Sequence, residues 1–280
     1  MIPKTKIIIA IALLFSFFLP AAAATEDKLG FGDSTRQMTG VLGGKKKGYK
    51  TPLDPDLYQT LFNLPDYTCR QVGYTDLAAC YNYLIYDRPD QKEAIAPLLN
   101  WIRKKVKKSD DRARVAASMV QNIPYDYNKS TGDEIIPSGR NHGTRYPYET
   151  LYENAGICGE KASLIVLLLK ELGYGTATLT FTSPALHQVA GVKCPAAYDF
   201  RDTGYCFIDP NIRHMITFGG SYETKNPYQV MILSDGKTLN AKNDWKDSRK
   251  YWEIINSIDN GTYTKKQAKA YKKLIKKYGM

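Results

Sequence analysis

Residues 164–169 are apolar at every position, which predicts a helix that is buried on all sides. Gly173 lies just beyond this run and is a typical residue after the last turn of a helix. Ahead of the run, Gly156 and Gly159 flank Cys158. We therefore expect Cys158 in a turn that leads directly into the first turn of the buried helix.

Shorter apolar runs follow this helix, and they are rich in β-branched and aromatic residues. Short runs of this composition predict β-strands. A buried helix followed by several strands predicts an α+β fold in which the helix packs on an antiparallel sheet. The predicted strands are 176–181, 187–192, 205–209 and 228–233.

The segment ahead of Cys158 has hydrophobic residues at helical spacing. Residues 52–109 are predicted as a helical region, and a further helix is predicted over 110–123, where Pro124 ends it. We interpret the helical region as packing beside a core domain at 110–235. The clearest amphipathic stripe is formed by Ile95, Leu98, Leu99, Ile102 and Val106.

The flanks of this core are more polar. Residues 25–51 are glycine-rich and lack periodicity, which predicts a flexible lead. Residues 236–280 predict a helical, basic C-terminal extension, with seven lysines and no acidic residue over 264–280. Its last helix has an apolar stripe of Tyr271, Leu274, Ile275 and Tyr278. We interpret that helix as docked by this stripe, with attachment to an anionic surface as the alternative.

Residues 1–24 have the three parts of a secretory signal peptide. Lys4 and Lys6 make a basic beginning, residues 7–19 an apolar centre, and residues 21–24 an alanine run suited to cleavage. We expect a secreted or extracytoplasmic protein. The alternative is an uncleaved anchor, since the apolar stretch is close to the minimum length that spans a bilayer.

Composition narrows the class of protein further. Hydrophobic residues make up 43% of the 280 residues, which excludes a wholly disordered chain, and the net charge of +11 suits contact with anionic surfaces. Five cysteines in an exported chain allow two local disulfides and one free thiol. The alternative is five reduced, buried cysteines. The candidate pairs are Cys69 with Cys80, and Cys194 with Cys206.

The position of Cys158 suggests chemistry. The dipole and the unpaired N–H groups at a helix start favour a thiolate, which becomes a useful nucleophile when a base lies beside it. His187 begins one predicted strand and Asp209 ends another, so neighbouring strands would bring the two side chains together. Without such partners Cys158 would be an ordinary buried cysteine. Alternatives for the base and the carboxylate are His142, His214, Asp199 and Asp202.

The order of these residues resembles the core domain of the transglutaminase-like superfamily, which is related in architecture to papain-type cysteine proteases. The resemblance covers residues 112–234 and implies a papain/transglutaminase-like core, to which this chain adds N-terminal helices. It also implies a catalytic triad of Cys158, His187 and Asp209. The residues that carry it are Tyr146-Pro147, Thr150-Leu151, Gly156, Cys158, Leu172-Gly173-Tyr174, His187 and Asp209-Pro210.

In the implied reaction the Cys158 thiolate attacks an amide carbonyl, His187 passes a proton to the leaving amine, and Asp209 orients the imidazole. The backbone N–H of Cys158 is a candidate donor to the oxyanion, and Tyr146 or Tyr148 is a candidate for the second donor. The sequence leaves open whether water or an amine accepts the acyl group.

The expected partner is a peptide or protein substrate, with cell-wall peptides as candidates. No motif requires a cofactor, a metal ion or a nucleic acid. Contact with a membrane is expected only through an uncleaved signal or the basic C-terminal helix. The rival hypothesis is a catalytically silent module that binds peptides or wall material in the same cleft, although such a module has no chemical need for all three triad residues.

Overall fold

The computed structural model describes residues 34–65, 69, 76–131, 140, 142–182, 186–213, 215–216 and 228–280. The predicted signal peptide lies outside these residues. Across the ranges just given, no helix combines the length and the apolar character needed to cross a membrane.

The fold is α+β, as the sequence pattern predicts. A π-helical turn, Asn82–Tyr86, continues the second helix. In the described part of the chain the elements are, in order, β1 (Thr35–Leu42), β2 (Lys45–Pro52), α1 (Pro55–Phe62), α2 (Leu77–Tyr81), α3 (Pro89–Lys105), α4 (Ser109–Gln121), α5 (Tyr127–Thr131), α6 (Pro147–Glu153), α7 (Cys158–Glu171), β3 (Thr176–Phe181), β4 (His187–Lys193), β5 (Tyr205–Ile208), β6 (Tyr228–Ser234), α8 (Lys242–Asp259) and α9 (Lys265–Tyr278).

Helix α7 lies at the centre of the core. Its residues 164–169 are completely buried, because it packs on β3 and β4 on one side and on α4 and α6 on the other. The sheet is antiparallel, with the strand order β5-β4-β3-β6. The apolar stripe predicted from Ile95 to Val106 is also buried, and it joins the same core from α3.

The face of the sheet away from α7 carries a second, smaller apolar cluster. Phe200 belongs to it and comes from the loop between β4 and β5. A disulfide between Cys194 and Cys206 closes that loop at its base. Cys69 and Cys80 form the other disulfide, so both predicted pairs are bonded in the structure and Cys158 is the free thiol.

Residues 35–52 form a β-hairpin, which corrects the prediction of a flexible lead for this part of the chain. Gly43 and Gly44 make its two-residue turn with positive φ values, as a type I′ turn requires. Gly40 lies so close to α4 that a Cβ there would be 2.8 Å from Ser118 Oγ. Hydrophobic periodicity does not predict the hairpin, because a glycine stands in β1 at a position where the strand packs on the core and an apolar side chain would be expected.

Helix α9 is docked on the rest of the molecule by its apolar stripe. Leu274 is buried, and the Tyr271 ring stacks on Tyr251 of α8 with ring centroids 5.9 Å apart. At the end of α9, the Lys277 carbonyl accepts the N–H of Gly44 at 2.9 Å. The end of the described chain therefore packs against the turn of the hairpin near its beginning.

Candidate active site

The structure brings Cys158, His187 and Asp209 together where α7 starts. Cys158 is the first residue of α7, and this helix packs on β4, which begins at His187. Asp209 directly follows β5. Because β4 and β5 are antiparallel, the start of the first lies beside the end of the second. Each side chain is thus held at the end of a regular element.

The His187 imidazole is oriented by Asp209, whose Oδ2 lies 3.1 Å from Nε2. The other carboxylate oxygen, Oδ1, accepts the N–H of Asn211 at 2.8 Å. Gln121 reaches across from α4 and donates to the backbone carbonyl of Asp209 at 2.8 Å. On the other side, the Phe181 ring stacks on the imidazole with centroids 6.4 Å apart. These contacts fix the carboxylate and the ring.

The Cys158 thiol is surrounded by hydrogen-bond donors. It hydrogen-bonds to the His187 imidazole, and the backbone N–H groups of Gln188 and Gly159 also point to the sulfur. Because Asp209 holds Nε2 of the imidazole, the thiol contact falls on Nδ1. Burial alone would raise the pKa of Cys158, but the three donors outweigh burial and lower that pKa below its ordinary value.

The pKa of His187 moves in the opposite direction. Burial alone would lower it, but the hydrogen bonds to Asp209 and Cys158 are stronger effects together and raise the pKa of His187 to about 10. A lowered thiol pKa beside a raised imidazole pKa favours a thiolate–imidazolium ion pair at neutral pH. Cys158 is a partly exposed residue, so the site is open to a substrate.

Three of the four alternative candidates, the ones that the structure describes, do not join this cluster. His142 is buried, and both of its ring nitrogens lie against backbone carbonyl oxygens. Asp199 accepts a backbone N–H within the loop between β4 and β5, and Asp202 lies in the same loop at a position of positive φ. His214 lies outside the described residues.

The two tyrosines considered as oxyanion donors are structural residues, which corrects that prediction. Tyr148 is completely buried, and its hydroxyl accepts the N–H of Asp54 at 2.6 Å. Tyr146 is almost completely buried, with the Arg88 guanidinium over its ring and His142 edge-on to it. Neither tyrosine offers the exposed hydroxyl that contact with a substrate requires.

Lys161 and Gln121 are close to this cluster and were missed from the sequence. Lys161 lies one helical turn beyond Cys158, is almost completely buried, and donates to the Ile123 carbonyl at 2.8 Å. Burial lowers the pKa of Lys161 to about 8, against the attraction of the nearby Asp209. For Lys161, the one indication in the sequence was its position one helical turn after Cys158. For Gln121, no sequence pattern indicated a role near Asp209.

A buried group of charges holds the start of α7 in place. The Glu160 carboxylate accepts the N–H of Ile157 at 3.0 Å and of Arg145 at 2.8 Å. Its other contacts are ion pairs with Lys129 and with the Arg145 guanidinium, which also reaches Asp126 at 2.8 Å. These pairs tie the segments that precede α7 to the start of the helix that carries the thiol. Among the described residues, no group of three or more potential ligands is suited to a metal ion.

Residues 82–212 match a family described as a transglutaminase-like domain. This segment is therefore similar to transglutaminase-like domains. The matched range contains Cys158, His187 and Asp209, and it leaves out the hairpin and the last two helices. The resemblance noted from the sequence is thereby confirmed.

A solved structure also resembles the chain at low sequence identity. It is described as a "Putative Cysteine Protease from Cytophaga hutchinsonii", is 14% identical, and aligns with a TM-score of 0.32. The alignment covers 67% of this chain and 60% of that chain. This likeness is too distant to add to the assignment of the transglutaminase-like domain. No curated protein matches the chain.

Proposed function

We propose that this protein is an exported, thiol-dependent enzyme that cleaves or transfers amides of peptides. Cys158 is the nucleophile, His187 the general acid and base, and Asp209 the residue that orients His187. The observation that carries the proposal is the cluster itself: a free, partly exposed cysteine at the start of a helix hydrogen-bonds to an imidazole that Asp209 holds, and these contacts lower the pKa of Cys158 and raise that of His187. That combination supplies both a nucleophile and a proton donor at neutral pH.

In the first half of the reaction the Cys158 sulfur attacks the carbonyl carbon of an amide, and a C–S bond forms as the carbonyl π bond opens. The backbone N–H of Cys158, the first residue of α7, would stabilise the resulting oxyanion. His187 then gives its proton to the nitrogen of the amide, so the C–N bond breaks and an amine leaves. The product is a thioester on Cys158, with a neutral imidazole beside it.

In the second half, His187 takes a proton from the acceptor, and the acceptor's oxygen or nitrogen attacks the thioester carbonyl. The C–S bond breaks and the thiolate–imidazolium pair forms again. Water as the acceptor gives hydrolysis, and a primary amine gives a new amide. We favour hydrolysis, because the thiol is partly exposed to solvent and a protein of net charge +11 repels a cationic lysine acceptor.

Export is supported by the predicted signal peptide and by two disulfides, which persist mainly in oxidising compartments. The basic surface favours anionic substrates, so peptides of the cell envelope are the candidates. The predicted domain limits, with a catalytic core at 110–235, belong to the same proposal.

The test is incubation of the protein with cell-envelope material, followed by mass spectrometry of the peptides. New amino termini that are absent with Cys158→Ala support hydrolysis, and new isopeptide bonds support transfer. If neither appears and iodoacetamide does not label Cys158, the silent binding module replaces the enzyme. For a peptide that the enzyme turns over, the reaction is then repeated with an added primary amine. The ratio of hydrolysed product to amine adduct shows whether water or the amine is the preferred acceptor of the acyl group.

A further inference from the structure

A cavity of about 420 Å³ lies between the hairpin, the ends of α4 and α9, and the segments that flank the candidate active site. This volume falls within the rough 300–1,000 Å³ range of small-ligand sites. Lys46, Arg213 and Lys276 line the cavity together with amide side chains such as Asn122 and Asn154. The described residues that line it include no aspartate or glutamate, so its walls are cationic and rich in hydrogen-bond donors.

Residues that line the cavity interact with residues that support the candidate active site. Ile123 lines the cavity and its carbonyl holds Lys161, one helical turn from Cys158. Arg213 lines the cavity too, and its charge acts on the same Lys161 side chain. Asn122, another lining residue, directly follows Gln121, which holds the backbone of Asp209. A group bound in the cavity would therefore contact residues that hold, or directly neighbour, the supports of the catalytic cluster.

The three cations of the cavity are available to a ligand. Lys46, Lys276 and Arg213 are all exposed, and no carboxylate of the described residues lies within ion-pair distance of them. They come from three separate parts of the chain, which the contact between Gly44 and Lys277 helps to bring together. No carboxylate in the described ranges cancels these charges locally, so the cavity attracts anions.

We propose that this cavity is a carboxylate-binding subsite that selects acidic peptides as substrates. The proposal rests on the proposed function, which it deepens by naming the substrate class. Arg213 offers the planar fork that binds a carboxylate with two hydrogen bonds, and Lys46 and Lys276 add charge. A peptide whose acidic group occupies the cavity would be held with a nearby amide at the Cys158 sulfur.

The experiment measures peptide binding by calorimetry with Cys158→Ala protein, which holds a substrate without turning it over. The probes are an acetylated, amidated pentapeptide with two glutamates, the same peptide with glutamines, and the glutamine peptide with a free C-terminal carboxylate. The third probe distinguishes a terminal carboxylate from a side-chain carboxylate. We expect tighter binding of at least one carboxylate probe than of the neutral peptide.

The decisive variant combines Lys46→Gln, Arg213→Gln and Lys276→Gln. A matched control, Lys104→Gln with Lys105→Gln and Lys108→Gln, makes the same change in net charge on exposed residues. Those control lysines lie near the opposite end of α4, about 15 Å away at its rise of roughly 1.5 Å per residue. We expect the cavity variant to weaken binding of the carboxylate probe about tenfold or more, and the control less than about twofold.

Equal weakening in both triple variants would show only an effect of net charge and would overturn the subsite. Equal affinity for carboxylate and neutral probes would overturn it as well. If the cavity triple variant does not fold, Lys276→Gln alone, at an exposed position, serves as the second test. Iodoacetamide labelling of Cys158 in the parent protein is a separate readout: a reactive thiol without anion selectivity overturns the subsite alone, whereas an inert thiol overturns the proposed function.

Discussion

Two opposing effects act on the Cys158 thiol, and their balance decides whether it is reactive. Burial favours the neutral thiol, whereas His187 and two backbone N–H groups favour the thiolate. Asp209 and the Cys158 sulfur together keep the imidazole charged. The protonation of the sulfur and of the ring is therefore one coupled equilibrium, and Asp209 stabilises its charged form.

The pH dependence of alkylation tests this coupling. Iodoacetamide should label Cys158 rapidly at neutral pH, and the rate should fall only when acid protonates the thiolate through its lowered pKa. In His187→Ala the thiol loses its imidazolium, so its pKa rises to about 8.5 or above and labelling at neutral pH should slow roughly ten- to thirtyfold. Gln188→Ala is the control, since its backbone N–H still reaches the sulfur. Identical pH profiles for the parent protein and His187→Ala would contradict the ion pair.

Gln121 tests the support behind Asp209. Its buried amide donates to the Asp209 carbonyl, and Gln121→Met would leave that carbonyl without its partner. We expect the free energy of unfolding to fall by about 1–3 kcal/mol and peptide turnover to fall with it. Gln59→Met, at an exposed position of α1, is the control and should leave the unfolding free energy within about 0.5 kcal/mol of the parent value. Urea unfolding of the parent protein and the two variants measures both changes in unfolding free energy.

At the scale of elements, the local sequence pattern predicts a helix or strand correctly where the residues that follow the expected periodicity are also the ones buried in the core. The apolar run of α7 and the β-branched strands β3 to β6 were predictable because each element meets the core with ordinary hydrophobic side chains. The hairpin was not, because Gly40 contacts α4 through its backbone and no side chain marks the contact. Its Gly43-Gly44 turn was visible in the sequence, but flanking lysines concealed the strands.

Substitution of Gly40 tests the close contact between the hairpin and α4. A Cβ at Gly40 would lie 2.8 Å from Ser118 Oγ and 2.9 Å from the Val115 carbonyl, and that carbonyl cannot move freely. We expect Gly40→Ala to lower the unfolding free energy by about 1–3 kcal/mol. In the same hairpin, Gly48→Ala meets mainly the flexible end of Gln37, so it should cost far less. Similar losses for the two variants would mean that the hairpin is not packed closely on α4.

Removal of the two disulfides separates stability from catalysis. The bonds between Cys194 and Cys206 and between Cys69 and Cys80 join residues 12 and 11 positions apart, so each should contribute about 2–4 kcal/mol. The first bond closes the loop between β4 and β5, whose strands carry His187 and Asp209. Paired substitution of Cys194 and Cys206 by alanine should therefore slow Cys158 labelling as well, whereas the Cys69 and Cys80 pair should affect stability alone. Equal labelling rates in the two double variants would contradict this link.

At the scale of the whole molecule, the contacts that complete the site join distant parts of the sequence. Gln121 and Asp209 are 88 residues apart, and neither carries a local pattern that indicates the other. The same holds for the ion pairs of Glu160 with Lys129 and Arg145, which form only after the segments around α7 have folded onto it. The elements that carry Cys158, His187 and Asp209 could be predicted from local pattern, but the residues that support these three depend on tertiary packing.

The docking of α9 is the last of these long-range contacts, and a single residue tests it. Leu274 is the buried residue of α9, which otherwise presents lysines to solvent. If the helix is docked as the structure has it, Leu274→Ala should lower the unfolding free energy by about 2–5 kcal/mol, because it removes a buried side chain and leaves a cavity. Lys273→Ala, the exposed neighbour, keeps the helix and should cost little. Limited proteolysis should then cut the connection between α8 and α9 faster in Leu274→Ala than in Lys273→Ala. If neither stability nor cleavage changes, α9 is free of the core, and attachment to an anionic surface becomes its better interpretation.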